Sequence, residues 1–242
     1  CSAPTGLAVS TISDNSADLT WNAGGTESSW DIYVASSATD IPDETSTPTY
    51  TTSVNSYSLQ GLTSSTNYKV YVRANCGAGD VSVWKNVSFL TLQVAAQVPY
   101  TQDFEDATEN NEWSFINVGT NTWVIGSAVN NTDQGANALY ISNNNGVSNS
   151  YDISSTTNVW AYRDIDFGTT YAEYEISFDY RAYGESCCDY IKVYLGQPAE
   201  PNGSTIPAGA TQLGGTMNVQ NNWTHVSYTV NSSHAGLQRL YF

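Results

Sequence analysis

The sequence predicts an all-β protein, in which one β-sandwich is followed by a second, jelly-roll β-sandwich domain. Apolar and polar residues alternate with a period of two through most of the chain, and no stretch keeps the 3.6-residue apolar period of a helix over about three turns. Clusters of Gly, Asn, Ser and Pro separate short strands roughly every 8–12 residues, which is typical of sandwiches and barrels. The 242 residues suit two ordinary domains.

The composition excludes several classes of protein. The chain has 23 acidic and 7 basic residues and a formal net charge of −16, so it lacks the basic footprint of a nucleic-acid-binding protein. Aromatic residues make up 12% of the chain, which favours a folded protein over a disordered one. No apolar run approaches the roughly 20 residues of a membrane helix, so no membrane insertion is expected. A start at Cys1 inside a strand-like pattern indicates a mature or excised segment without its signal peptide.

The chain divides near a short link at residues 94–99. Residues 1–93 carry 8 acids and 3 bases, and residues 94–242 carry 15 acids and 4 bases, so both parts are acidic. The link lacks the Gly and Ser content of a flexible tether. We therefore expect one domain at 1–93, a second at 100–242, and limited freedom between them.

The first domain carries features of a known sandwich family. About seven short strands are expected, one of which places Leu19 and Trp21 on the same face, while 69–74 alternates regularly. A Leu…Thr-x-Tyr run that ends at Tyr68 leads into that strand. The early Trp and this run resemble a fibronectin type III domain across the whole first domain. The resemblance implies that Tyr68 is a tyrosine-corner residue whose hydroxyl bonds to upstream backbone, although Ser64 stands where the family often has Pro.

The second domain is expected to have about eight strands of uneven spacing, as in a jelly roll. In the clearest strand, 174–182, aromatic and aliphatic residues alternate with Glu, Ser, Asp and Arg. Six further strands are expected at 100–105, 122–125, 139–142, 190–195, 224–230 and 237–242.

Four motifs in the second domain carry a further resemblance. They are Pro-Tyr-Thr-Gln-Asp-Phe-Glu at 99–105, Ala-Leu-Tyr-Ile-Ser-Asn at 138–143, Gly-Glu-Ser-Cys-Cys-Asp-Tyr-Ile-Lys-Val-Tyr at 184–194 and Arg-Leu-Tyr-Phe at 239–242. In this order they resemble the MAM-like "cleaved adhesin" jelly rolls of secreted and surface proteins of Bacteroidetes-type bacteria. There the last motif runs on to a segment with an Asp-Asn pair, so the resemblance implies a C-terminally truncated domain. A jelly roll without its final strand exposes an edge that pairs readily with another strand.

The four cysteines indicate the compartment in which the protein folds. In a fibronectin type III topology Cys1 and Cys76 lie at the same pole of the sandwich, so the resemblance implies a disulfide between them. Such a bridge indicates an oxidising compartment, and we expect an extracellular or cell-surface protein. The adjacent Cys187 and Cys188 form either a vicinal disulfide or two free thiols. With only His225 and His234 as further soft ligands, a zinc site at this pair is not expected.

Little in the sequence favours catalysis. Neither a Gly-x-Ser-x-Gly elbow nor a phosphate-binding Gly-rich loop is present. His225 is expected on the solvent-facing side of a strand, and His234 in a loop. The carboxylate pairs Glu173/Glu175 and Asp164/Asp166 have the i, i+2 spacing of solvated strand faces. We therefore predict that the chain is not an enzyme.

Calcium is the metal that these side chains favour, because Ca²⁺ takes about 6–8 oxygen ligands. Asp103 and Glu105 flank one aromatic residue, 130–135 is a loop of oxygen donors that ends in Gly, and Asp189 stands at the start of a strand. Related jelly rolls commonly hold a structural Ca²⁺ between the first strand, such a loop and the last strand. The resemblance therefore implies Glu105 and Asp133 as ligands, with Asp103 and Asp189 as further candidates. The alternative is that these acids serve solubility and turn formation.

Sugar recognition is the other candidate activity, since flat aromatic side chains stack on pyranose rings and nearby polar groups bind the hydroxyls. Trp160 and Tyr162 share one strand face, and are either packing residues or an exposed platform. Tyr183, which precedes a glycine, is expected at the rim of a site.

Two functions fit these observations. The first is a non-catalytic adhesion segment of a larger bacterial surface protein, with a calcium-stabilised jelly roll. The second is a carbohydrate-binding module attached to a secreted hydrolase. The expected partners are a glycan or a cell-surface protein, together with neighbouring domains of the parent chain.

Overall fold

The computed structural model describes residues 1–131, 135–170 and 172–242. Its contacts divide the chain into two compact units, Cys1–Val94 and Ala95–Phe242. Apart from one α-helix, α1 (Ala107–Asn110), and a 3₁₀ turn (Ser232–His234), the described residues form strands and loops. None of the described helices is long and apolar enough to cross a membrane. The chain is therefore all-β, as the alternating pattern predicts.

The first unit contains seven strands in two sheets. The strands are β1 (Thr5–Ser10), β2 (Ser16–Asn22), β3 (Trp30–Val34), β4 (Tyr50–Thr52), β5 (Ser56–Gln60), β6 (Asn67–Ala74) and β7 (Lys85–Leu90). One sheet has the order β1-β2-β5 and the other the order β4-β3-β6-β7, with antiparallel neighbours throughout. This is the sandwich architecture that the fibronectin type III resemblance implies.

The alternation of side chains places one face of each sheet in a shared core. Trp21 of β2, Ile32 of β3 and Val72 of β6 are buried together there. The hydroxyl of Tyr68 accepts a hydrogen bond from the backbone N–H of Thr63 at 2.9 Å, which is the tyrosine-corner contact expected from the sequence.

The second unit contains ten strands. They are β8 (Ala96–Gln97), β9 (Ser114–Ile116), β10 (Thr122–Gly126), β11 (Ala138–Ser142), β12 (Trp160–Asp166), β13 (Glu173–Ala182), β14 (Ile191–Gly196), β15 (Thr211–Met217), β16 (Gln220–Asn231) and β17 (Leu237–Tyr241). One sheet has the order β15-β14-β17-β12-β8, and β9 also pairs with β12. Two antiparallel ribbons, β10–β11 and β13–β16, complete this second β-sandwich.

The last strand lies inside the larger sheet and is not an edge. β17 pairs with β12 on one side and with β14 on the other. Among the described residues, the strands left with an unpaired side include those of the two ribbons. The core of this unit forms where Leu195 of β14 and Leu240 of β17 meet Ile176 and Phe178 of β13.

The prediction of a strand at 100–105 is wrong, and the predicted link contains a short strand, β8. Residues 100–105 are irregular rather than a strand, and Phe104 has a positive φ of 65°. The side chains of Gln102 and Asp103 accept hydrogen bonds from the backbone N–H groups two residues later, at 2.6 and 3.0 Å. Such local bonds compete with strand pairing. Within the expected link, β8 pairs in parallel with β12.

Candidate binding surface

Trp160 and Tyr162, predicted as sugar-stacking residues if exposed, are buried. Only 8% and 3% of their surfaces are exposed, because both pack with Tyr194 and Tyr241 in an aromatic cluster. The indole N–H of Trp160 donates to the carbonyl of Gly203 at 2.8 Å. The Tyr162 hydroxyl donates to Glu200 at 2.9 Å. The loop between β14 and β15 therefore uses these rings as its support, and the expected platform is not at the surface here.

Asp164, expected on a solvated strand face, is instead fully buried beside Arg239. Its two carboxylate oxygens accept from Nε and one terminal nitrogen of Arg239, at 2.5 and 2.9 Å. A second terminal nitrogen of Arg239 donates to Glu200 at 2.7 Å, and its guanidinium lies 4.0 Å from the Tyr162 ring centre. Burial raises the pKa of Tyr162, and the ion pairs raise the pKa of Arg239 despite its burial. This network orders a loop and leaves no free carboxylate for catalysis at Asp164.

A second ion pair fastens α1 to the larger sheet. Arg163 donates to Glu109 at 2.8 Å, and the Tyr100 hydroxyl donates to the same carboxylate at 2.7 Å. Burial, together with this bond, raises the pKa of Tyr100 to about 12. Burial acts to raise the pKa of Glu109, but the bonds from Arg163 and Tyr100 outweigh it and lower that pKa.

The acids proposed for calcium have other partners in the described residues. Glu105 reaches the segment directly after the predicted 130–135 loop, where its carboxylate accepts from the backbone N–H groups of Ala136 and Asn137, both at 2.7 Å. Asp133 lies outside the described residues. Asp103 accepts from the N–H of Glu105 at 3.0 Å.

Asp189 also takes part in a local network rather than in a shared acidic site. Its carboxylate accepts from the Tyr151 hydroxyl at 3.0 Å and from the backbone N–H of Glu185 at 3.1 Å. No trio of described acidic, histidine or cysteine ligand atoms that includes Asp103, Glu105 or Asp189 is close enough to share an ion. The calcium site therefore stays a prediction that would need Asp133, carbonyl or amide ligands.

All four cysteines are paired. Cys1 is joined to Cys76, the pairing that the first resemblance implies. Cys187 and Cys188 form a vicinal disulfide, which the sequence left open against free thiols. The residues of this second bridge are exposed.

The vicinal disulfide belongs to a loop that presents aromatic side chains to solvent. This disulfide loop, residues 183–190, joins β13 to β14. Tyr183 at its start is 50% exposed and Tyr190 at its end is 52% exposed. Tyr183 is thus the one predicted sugar-contact residue that the structure places at the surface. We call Tyr183, Cys187, Cys188 and Tyr190 the aromatic–disulfide surface.

Three contacts hold the disulfide loop in place. Asp189 binds Glu185 within the loop and Tyr151 outside it, as described above. Asn218, in the turn between β15 and β16, donates to the carbonyl of Ser186 at 2.9 Å. Gly184 has a φ of 120°, and a Cβ there would lie 2.6 Å from the Cβ of Asp189. The loop conformation therefore requires glycine at this position.

Two basic side chains lie over the rings beside this loop. The Arg181 guanidinium is 4.9 Å from the ring centre of Tyr183 and 5.3 Å from that of Trp223. The Lys192 ammonium is 4.9 Å from the ring centre of Tyr190. Of the four basic residues after position 94, the other two are buried, so both that reach solvent are at this surface. An exposed cation–π contact of this kind contributes about 0.5–1 kcal/mol.

Sequence reasoning missed Arg181, Lys192 and Tyr190, although part of the signal was present. Arg181 and Tyr183 have i, i+2 spacing at the end of β13, as do Tyr190 and Lys192 at the start of β14. This spacing places a cation and a ring on the same strand face. The position of Trp223 on the neighbouring β16 required the strand register.

The histidines take no part in this surface. Nδ1 of His225 lies 2.9 Å from a carboxylate oxygen of Asp179, its partner across the β13–β16 ribbon. His234 lies in the 3₁₀ turn, where its Nδ1 is 3.2 Å from the hydroxyl of Ser233. Both histidines therefore have local partners, His225 at an exposed position and His234 at a half-buried one.

Comparison with known proteins identifies the first unit. The family model of the fibronectin type III domain matches residues 2–90. Together with the three- and four-stranded sheets and the Tyr68 contact, this match makes the first unit a fibronectin type III domain. A search of curated proteins finds no match.

Several solved structures similar to part of this chain are titled as fibronectin type III domains. The crystal structure of FN3tt is 23% identical, with 37% of this chain and 92% of that chain covered and a TM-score of 0.32. The fn3 domain of human collagen alpha-1(XX) chain is 18% identical, with coverage of 38% and 86% and a TM-score of 0.33. The chain described as a myokine structure is 23% identical, with coverage of 38% and 98% and a TM-score of 0.30.

Proposed function

We propose that this chain is a non-catalytic binding segment of a larger extracellular or cell-surface protein. The observation that carries the proposal is the fibronectin type III domain at residues 2–90, a module typical of adhesion or binding segments in larger proteins. The second β-sandwich adds a loop surface whose aromatic rings face solvent. These parts suit contact with a partner rather than turnover of a substrate.

The buried charges support the absence of catalysis. Asp31 and Asp164, the fully buried aspartates among the described residues, are each paired with an arginine, at 2.9 and 2.5 Å. A general acid or base needs a carboxyl group that can reach a substrate, and these two are enclosed by their partners.

The compartment and the parent family are parts of the same proposal. Two disulfides suit an oxidising environment such as the cell exterior. The motif order of the second unit, including Arg-Leu-Tyr-Phe at 239–242, supports a MAM-like cleaved-adhesin domain of a bacterial surface protein.

Calcium is proposed as a structural ligand near Glu105 and Asp133. Glu105 already joins the irregular 100–105 segment to the loop that precedes β11. A bound Ca²⁺ would stiffen the same junction by adding carbonyl and amide oxygens. Differential scanning calorimetry of the full chain with 2 mM Ca²⁺ against EDTA tests this, and an unchanged Tm would remove calcium from the proposal.

A bead-adhesion assay tests the binding function. Beads coated with the full chain are expected to attach saturably to bacterial or host cells, above beads coated with albumin, and soluble chain should compete. Equal retention of both kinds of bead would overturn the proposal. Turnover of glycoside, ester or peptide substrates that survives purification would favour an enzyme instead.

A carbohydrate-binding module is the second candidate, and the exposure of Tyr183 beside a vicinal disulfide favours it. On this hypothesis the glycan is the partner, and the parent protein is a secreted hydrolase.

A further inference from the structure

We propose that the aromatic–disulfide surface is a binding site for a neutral, pyranose-containing glycan. The inference rests on the proposed binding function and names the ligand class and the site that carries it. It assigns ligand contact to Tyr183, Tyr190 and the Cys187–Cys188 bridge, with Arg181 as hydrogen-bond donor.

The surface combines exposed apolar groups within one short loop. Half of each tyrosine surface is accessible, and the disulfide between them is exposed. The partly positive C–H face of a pyranose is attracted to the negative face of an aromatic ring. The exposed, polarisable disulfide supplies a further apolar contact on the same loop. These groups match the apolar face of a sugar.

The size of the surface favours a small ligand over a protein. An aromatic side chain buries about 150–250 Å² when fully covered, so two half-exposed tyrosines offer roughly 200 Å² in all. A specific protein interface covers about 800 Å² on each partner. One or two sugar rings fit the smaller area.

Polar groups are available around the apolar ones. Among the described residues, no hydrogen bond or ion pair engages the Arg181 guanidinium, which is held only by the rings of Tyr183 and Trp223. Its N–H groups can therefore donate to sugar hydroxyls. The exposed carboxylate of Glu185 can accept from them.

The charge balance favours a neutral ligand. Arg181 and Lys192 offset Glu185 and Asp189, so this surface is close to neutral on a unit with 15 acids and 4 bases. An anionic glycan would meet the negative potential of the rest of the molecule, whose formal net charge is −16. A neutral glycan avoids that repulsion.

Contacts within the protein hold the loop. Tyr151, Asn218 and the Asp189–Glu185 contact fix its backbone, and Gly184 fits only without a Cβ. A preformed surface loses little conformational entropy on binding, which suits the weak, repeated contacts of a glycan.

Isothermal titration calorimetry of the full chain tests the site. The probes are soluble hexasaccharides of glucose, mannose, galactose and xylose, with hexagalacturonate as the acidic probe. We expect at least one neutral hexasaccharide to bind and hexagalacturonate to bind at least 10-fold more weakly. Tyr183→Ala and Tyr190→Ala are each expected to lower the affinity for the neutral hexasaccharide at least 10-fold. Arg181→Ala is expected to lower it at least 5-fold.

Tyr50→Ala is the matched control, since Tyr50 is 37% exposed and lies in the first unit. Thermal unfolding of each variant separates loss of binding from loss of folding. Binding that is unchanged in both tyrosine variants, or stronger for the acidic probe, would overturn the site. If no glycan binds but the beads still adhere, the glycan site is overturned and the proposed function stands. If the beads also fail to adhere, both proposals are overturned.

Discussion

The two units each bury an arginine against an aspartate on the neighbouring strand, but they use the rest of the guanidinium differently. In the first unit, Arg73 of β6 lies opposite Asp31 of β3 and donates to it through Nε at 2.9 Å. In the second, Arg239 of β17 lies opposite Asp164 of β12, which accepts from two of its nitrogens. Both pairs are cross-strand neighbours, and both are buried.

The remaining donors of each arginine hold a loop over the outer face of a sheet. Arg73 donates to backbone carbonyls of the loop between β3 and β4, most closely to Glu44 at 2.8 Å. Arg239 donates to the side chain of Glu200 at 2.7 Å and to the backbone carbonyl of Ala199 at 3.2 Å, both in the loop between β14 and β15. Arg73 therefore holds the first loop through backbone carbonyls, whereas Arg239 holds the second through one carbonyl and one acidic side chain. The second arrangement constrains the sequence of its loop at Glu200.

Replacing Asp31 or Asp164 should cause the largest loss of stability and so gives the sharpest test of the difference between the two arginines. Removing one partner of a buried ion pair costs about 3–5 kcal/mol. We expect Asp164→Ala at the upper end of that range, because Arg239 loses two bonds to the carboxylate, and Asp31→Ala at about 3 kcal/mol, because Arg73 loses one. Hydrogen-exchange mass spectrometry in urea reads the free energy of unfolding of each unit separately.

The exposed ion pairs of Asp80 and Asp179 provide the controls. Asp80 pairs with the N-terminus and Asp179 with His225, and their side chains are 62% and 45% exposed. Their alanine variants are expected to change stability by less than about 1 kcal/mol. Equal losses for Asp31→Ala and Asp164→Ala would contradict the difference between the two arginines.

The two disulfides give the next contrast. Cys1 and Cys76 are 75 residues apart, and the second pair is adjacent in sequence. In the chain-entropy model, Cys1→Ser with Cys76→Ser costs the first unit about 4 kcal/mol, whereas Cys187→Ser with Cys188→Ser costs the second about 1 kcal/mol. Urea midpoints of the two double variants measure this. A larger loss in the second unit would show that the vicinal bridge holds more structure than its loop length implies.

Tyrosine hydroxyls offer a smaller comparison. Tyr68 makes one bond to backbone in the first unit, whereas the Tyr241 hydroxyl contacts Gln197 and Ala199, each at 3.1 Å. We expect Tyr68→Phe to cost about 1 kcal/mol and Tyr241→Phe about 2 kcal/mol. Thermal unfolding followed by circular dichroism measures the loss of stability in both variants. A larger loss for Tyr68→Phe would contradict our ranking.

The pH dependence of stability that Glu109 and Tyr100 give the second unit should be the smallest of these effects. The lowered pKa of Glu109 stabilises the fold above the ordinary value of 4.5, and this stability is lost as pH falls through the folded pKa. At the alkaline end, the Tyr100 pKa of about 12 means that stability declines as pH rises above 10. Glu109→Gln should flatten the acid limb in urea titrations from pH 3 to 7. Glu175→Gln, at an exposed position, serves as control. If stability depends on pH in the same way in both variants, Glu109 is not the cause of the acid limb.

The sequence by itself determined the class of fold, because strand alternation is a local property. The period of two placed Leu19 and Trp21 in the first core, and the Tyr68 run identified the family of the first unit. It also indicated that Tyr183, beside Gly184, lies at a surface. Each of these depends on residues that are close together in the chain.

Only the tertiary structure decided which polar and aromatic faces are covered. Trp160, Tyr162 and Asp164 alternate like residues of a solvated face, yet the loop at 197–210 encloses them with Arg239. Alternation shows that two residues share a face but not whether a distant loop closes over it. The same limit applies to the binding surface, where Trp223 reaches Arg181 only because β16 pairs with β13 in its observed register.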